Sequence, residues 1–169
     1  MSVTGKTLRR ETRTQPETGV TEDGAAAIAP ALNAILADLF ALYVKTKNFH
    51  WHMAGPHLRD YDLLPDDQSA QVLATIDPAA ERVRKLGRST IRSIGQISRL
   101  RRAAENDAET VAPADMLRAL CDDNRLLAGA LRDLHDICDR HGDIATASLI
   151  ENWIDEAQGR IWFLMESGK

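Results

Sequence analysis

The sequence predicts an all-α fold, a four-helix bundle with a short extra helix in the connection between helices 2 and 3. Three observations carry this expectation. Apolar residues recur at helical spacing over four long stretches. Proline and glycine are scarce, six and ten residues among 169, while alanine and leucine are abundant. One connection, over residues 88–112, is too long for a simple bundle loop and carries an apolar residue at every third position.

The first helix is expected from about Ala25 to Met53, with Ile28, Leu32, Ile35, Leu36, Leu39, Tyr43 and Val44 on its stripe. Pro30 falls near its start, where proline is tolerated, and Gly55-Pro56 ends it. The second helix is expected over roughly His57 to Leu86, stopping at Gly87, with a bend or break near Pro65 or Pro78. Ile91, Ile94, Ile97 and Leu100 predict the short helix across the bundle. The third long helix runs from Pro113 to about Arg140, and His141-Gly142 closes it. Asp143 is placed to cap the fourth, which carries Ile150, Trp153, Ile154 and Leu164 to about Glu166. Trp153 and Trp162 are expected as packing residues. Residues 1–24 show almost no apolar periodicity and read as a flexible basic tail before a bundle over 25–169.

Composition narrows the function classes. A net charge of −4 and a pI near 5.7 argue against a surface that grips nucleic acid all over. No stretch is expected to reach the roughly 20 apolar residues of a membrane helix, and no secretory signal is evident. Cys121 and Cys138 lie in one helical pattern, ~25 Å apart along the axis, too far to pair. They read as two thiols in a reducing cytoplasm. His135, Cys138 and His141 diverge around the helix and do not make a metal trio. A glycine-rich phosphate loop and a nucleophile elbow are both missing.

The stretch from His50 to Glu81 carries the chemistry. His50 closes the first helix, and Asp62, Asp66, Asp77 and Glu81 follow along the second. Asp62 and Asp66 are four apart, as are Asp77 and Glu81, and Asp66 to Asp77 turns ~1100°, close to whole turns. All four acids therefore share a face, which is either a solvated stripe or a metal site. The two pairs lie ~16 Å apart along the axis, whereas the ligands of one metal lie ~2 Å from it. A second copy running antiparallel across a two-fold axis would bring Asp77 and Glu81 beside His50, Asp62 and Asp66 of its partner. Carboxylates with one imidazole suit iron or manganese rather than structural zinc.

The run His50-Trp51-His52-Met53-Ala54-Gly55 resembles the first signature of the Dps family, the DNA-binding proteins from starved cells. Asp77-Pro78-Ala79-Ala80-Glu81-Arg82, with Gly87 following, resembles the second. The likeness covers about residues 25–169, including the short middle helix and the Trp162-Phe163-Leu164 end of the last one. It implies a ferritin-like bundle, assembly into a dodecamer, and a ferroxidase centre between two subunits that oxidises Fe(II) with hydrogen peroxide or oxygen. Carried over position by position, His50 matches the histidine ligand, Asp66 the aspartate of the same subunit, and Asp77 and Glu81 the partner's carboxylates. Trp51 matches the tryptophan beside the site. Asp62 departs from the family, which usually has histidine there, and Pro65 stands where an aliphatic residue is common. Aspartate remains a competent iron ligand.

The resemblance also implies acids at three-fold pores near the start of the last helix, which makes Asp143 the pore candidate. Lys6, Arg9, Arg10 and Arg13 in the tail are candidates for non-specific phosphate contacts with DNA. A second basic run, from Arg82 to Arg102, contains no acid and reads as a solvated or intersubunit face or, alternatively, a phosphate surface. An alternative reading of the whole chain is a DNA-compacting homologue whose altered centre is impaired.

Overall fold

The structure, a computed structural model, describes residues 18–53 and 63–168. Every regular element among these residues is helical: α1 (Glu22–His52), α2 (Leu63–Lys85), α3 (Ile94–Leu100), α4 (Pro113–Arg140) and α5 (Ile144–Ser167). Asp62 and the tail residues Lys6, Arg9, Arg10 and Arg13 lie outside the described residues.

Local chemistry sets most helix ends. Thr21 accepts a hydrogen bond from Gly24 N, so α1 starts at Glu22, three residues before the expected Ala25. Ser93 caps α3 through Gln96 N, and Pro113 opens α4 at its first turn. Gly87 and Gly142, at φ 76° and 66°, turn the chain out of α2 and α4. Asp143 caps α5 through Thr146 N, as expected. Of the two prolines near which a bend or break was expected, Pro65 stands in the first turn of the described helix, and Pro78 lies within a continuous α2. The carbonyl that proline leaves unpaired belongs to Ala74, which is exposed, so water can satisfy it.

Side-chain contacts fix the helix directions. Arg88, just past α2, bonds Glu22 at the start of α1 (2.6 Å), so α1 and α2 are antiparallel. Lys45 near the end of α1 reaches Asp123 early in α4, while a Cβ on Gly24 would stand 3.1 Å from His141 Cβ. α1 and α4 are therefore antiparallel as well, and α2 and α4 point the same way. Their connection must travel the length of the bundle, which is why it is long. It runs beside α1, bonded in turn by Asn33 to Ser89 O, by Asp38 to Arg102 and Ala103, and by Asn48 to Asn106 O. Asp38 is 2% exposed and accepts from both backbone N–H groups and the Arg102 guanidinium, which locks the connection at its middle.

The core lies between α1, α2, α4 and α5. Ile28, Leu32, Ile35, Leu36 and Leu39 of α1 are at most 1% exposed and meet Val72 and Val83, Leu120 and Leu131, and Ile150 and Trp153. Contrary to the sequence expectation, α1 is long and apolar enough by composition to cross a membrane. Its apolar character has another cause here, because α1 contacts α2, α3 and α4 and so buries most of its circumference. Trp153 packs in the core as expected, but Trp162 does not. It is 59% exposed and lies against the ring of Phe163, centroids 4.7 Å apart.

Candidate metal centre

The antiparallel pairing of α1 and α2 brings the last turns of the first helix beside the described start of the second. Lys47, His50 and Trp51 come from α1, and Asp66 from α2. Lys47 Nζ lies 2.5 Å from Asp66 Oδ1. The Lys47 ammonium, by hydrogen bond and charge, holds the Asp66 carboxyl below the usual carboxylate range, and nearby His50 adds to the effect. Asp66 is thus a charged donor, and its side chain remains half exposed. Trp51 is 67% exposed, an unusual placement for a large ring on a finished surface.

Farther along α2, Asp77 and Glu81 are exposed, and Glu81 pairs with Lys85 at 3.0 Å one turn on. Because α2 is unbroken from Leu63 to Lys85, Asp66 and Asp77 remain ~16 Å apart along the axis. Leu73 sits on the same stripe between them and is 48% exposed. Among the described residues of one chain, no three histidine, cysteine or acidic side chains come together around a metal position.

The interior of the bundle offers no substitute. Di-iron bundles of the ferritin type place inward carboxylates and histidines from all four helices around their metals. Here Arg160 occupies the interior, 3% exposed, with Nε donating to Asn124 Oδ1 at 2.7 Å and its carbonyl accepting from Gln68 Nε2. Burial lowers the Arg160 pKa to about 10, still far above neutrality. A guanidinium flanked by amides repels a metal cation.

Residues 29–167 match the family model of the ferritin-like domain. A DNA protection during starvation protein from Brevibacillus brevis is 29% identical over 138 residues, covering 81% of this chain and 91% of its own. An uncharacterized low temperature-induced protein from Nostoc sp. is 31% identical over 150 residues, 86% and 82% of the two chains. The solved structure of DpsC from Streptomyces coelicolor superposes with a TM-score of 0.87 at 25% identity, covering 90% of each chain. The chain belongs to the Dps family of ferritin-like proteins.

Within this Dps chain, Asp143 corrects the sequence reading. It was expected at a pore, but its side chain is 1% exposed and bonds Arg82 Nη2 at 2.6 Å, besides Thr146. A carboxylate engaged by a guanidinium and its own helix end is not presented to passing ions. Much of the basic run is likewise engaged within the chain, Arg82 with Asp143, Lys85 with Glu81, Arg88 with Glu22, Arg101 with Glu105 and Arg102 with Asp38. The two cysteines are free and buried, and burial pushes the Cys138 thiol up to about 12. Sequence reasoning missed Lys47. Its position three residues before His50 puts it on the same helical face, but its contact with Asp66 depends on how α1 and α2 pair.

Proposed function

We propose that this Dps chain is one subunit of an iron-handling homo-oligomer, a dodecamer built from two-fold dimers. Its substrate is Fe(II), bound between subunits by His50, Asp62 and Asp66 of one chain and Asp77 and Glu81 of the other. Each ferrous ion gives up one electron, two of them reducing one hydrogen peroxide, or more reducing oxygen. The ferric product is stored inside the shell, and removing Fe(II) and peroxide together protects DNA. The compartment we propose is the cytoplasm, where buried unpaired thiols stay reduced.

The observation that carries this reading is the split donor set. Exposed carboxylates stand ~16 Å apart on one stripe of α2, while the bundle interior is filled by Arg160. A second copy is the economical way to close a site from such halves. A groove of about 690 Å³ between α1 and the connection, lined by Phe40, Val44, Ile94 and Ile97 and reaching His52, supports the same reading. Val44 is 59% and Ile94 79% exposed, which suits a face that another subunit covers. The test is to follow ferrous oxidation with peroxide and with oxygen on protein sized by light scattering. Oxidation by the assembled protein at the rate of iron in buffer alone would overturn the ferroxidase reading.

The rival reading is DNA compaction without iron oxidation, and the basic tail favours it. With the body at a net −4 per chain and much of its basic run engaged internally, Lys6, Arg9, Arg10 and Arg13 are the natural phosphate contacts. Many tails on one particle add avidity, and the contact should weaken steeply with salt. A gel shift comparing the full chain with one starting at Gly24 decides it. Equal retardation of DNA by both would move the contact to the body.

A further inference from the structure

We propose that Met165 is a peroxide-oxidisable site whose sulfoxide is captured by Arg125, so that oxidation tightens the contact between α4 and α5. Sulfur reactivity follows exposure, and here exposure singles out one atom. Met53 and Met116 are 5% and 2% exposed, and Cys121 and Cys138 are free but buried. Burial also raises both thiols above their usual range, so little thiolate is present to react. Met165, in the last turn of α5, is 48% exposed. Among the described residues it is the one sulfur that a dissolved oxidant meets directly.

A second observation shows what receives the added oxygen. The Arg125 guanidinium of α4 reaches Met165 across 40 residues of sequence, with Nη2 donating to Sδ at 3.4 Å. Its other terminal nitrogen, Nη1, donates to Asp122 at 2.8 Å, which steadies the guanidinium beside α5. A thioether is a weak acceptor, so the Nη2 donor is poorly matched in the reduced protein. In the reaction a sulfur lone pair attacks one oxygen of hydrogen peroxide, and the O–O bond breaks. The departing hydroxide takes the proton left on the transferred oxygen, giving sulfoxide and water. Sulfur is oxidised by two electrons and the peroxide is reduced by two. The sulfoxide oxygen carries partial negative charge, and it accepts a charge-assisted bond from Nη2 after a small movement of two exposed side chains. A methionine without such a donor behaves differently, because its new polar group only disturbs the apolar side chains around it.

Hydrogen peroxide is also an oxidant of the proposed iron reaction, but this inference stands apart from it, because the test uses iron-free protein. Assembled wild-type, Arg125→Gln and Met165→Leu proteins would be treated with limiting hydrogen peroxide. Each would then be digested for peptide mass mapping and unfolded in urea at fixed protein concentration. The expected product gains one oxygen on Met165 while Met53 and Met116 stay unmodified. Oxidation should raise the urea midpoint of the wild type, leave that of Arg125→Gln no higher than before, and not move that of Met165→Leu. A methionine sulfoxide reductase should return the wild type to its original midpoint. A wild-type midpoint that falls or stays put on oxidation overturns capture by Arg125, whether or not the variants assemble. A rise of equal size in Arg125→Gln does the same. Oxidation of Met53 or Met116 ahead of Met165 overturns the site itself, as does a Met165 that stays reduced in the assembled protein because another subunit covers it.

Discussion

Two cation–carboxylate pairs tie helices together at opposite ends of α2, and they differ in how much water reaches them. Arg82 and Asp143 are 9% and 1% exposed, and Asp143 also accepts from Thr146 N and Oγ1. Lys47 and Asp66 are 23% and 50% exposed, and the carboxylate keeps an open flank. The first pair has exhausted its bonding capacity inside the fold, and the second has not. A buried pair that satisfies itself is structural, whereas a half-open one retains donors for a ligand. Both were acids on one chain in the sequence, and only their surroundings separate them.

Breaking the closed pair should give the largest effect on stability. Asp143→Asn keeps a competent cap but leaves Arg82 buried without a counter-charge, so unfolding should become easier by about 3–5 kcal/mol. Chemical denaturation measures it, and a loss below about 1 kcal/mol would mean that water reaches the pair after all. Replacing both partners by apolar residues should cost much less than the two single changes together. The open pair should behave in the opposite way. Asp66→Asn should leave the unfolding midpoint near wild type while slowing ferrous oxidation about tenfold or more, as expected for loss of a metal ligand. A variant that unfolds early yet oxidises iron normally would reverse the assignment.

How much of this was legible in the sequence depends on the range of the contact involved. α4 matches its expected bounds because Pro113 and His141-Gly142 act within one turn of themselves. The face shared by Asp66, Asp77 and Glu81 follows from helix geometry alone, and Pro78 did not disturb it because its orphan carbonyl is solvated. Asp143 misled because Arg82, 61 residues earlier, is invisible as a partner until α2 and α5 are packed. Lys47 escaped notice for the same reason, being an unremarkable lysine until α2 lies alongside. Trp162 was expected as a packing residue, but its face of α5 is uncovered in the single chain. Local rules were readable, and partners chosen by packing were not.

A smaller change tests the position where the chain departs from its family. Asp62→His restores the imidazole that the family usually carries four residues before Asp66, and ferrous oxidation should become several-fold faster if the aspartate is a weakened replacement ligand. Equal initial rates for Asp62→His and the parent would show that position 62 does not limit the reaction.

The smallest effect belongs to the other ammonium on α2, and it sharpens the comparison most. Lys85 lies 3.0 Å from Glu81, a candidate ligand, just as Lys47 lies beside Asp66. Its setting differs in each respect that matters. The pair is one turn apart on a single helix, and both side chains are more than half exposed, 58% and 57%. Such pairs contribute about 0.3–0.5 kcal/mol and are screened by salt, so Lys85→Gln should change stability by no more than that. A flexible, solvated ammonium should also swing clear when Glu81 meets a metal across the interface, leaving ferrous oxidation at the wild-type rate. Lys47→Met, which removes the covered partner of Asp66, should alter that rate more than Lys85→Gln does. Equal changes from both substitutions would mean that the covered position of Lys47 has no special meaning.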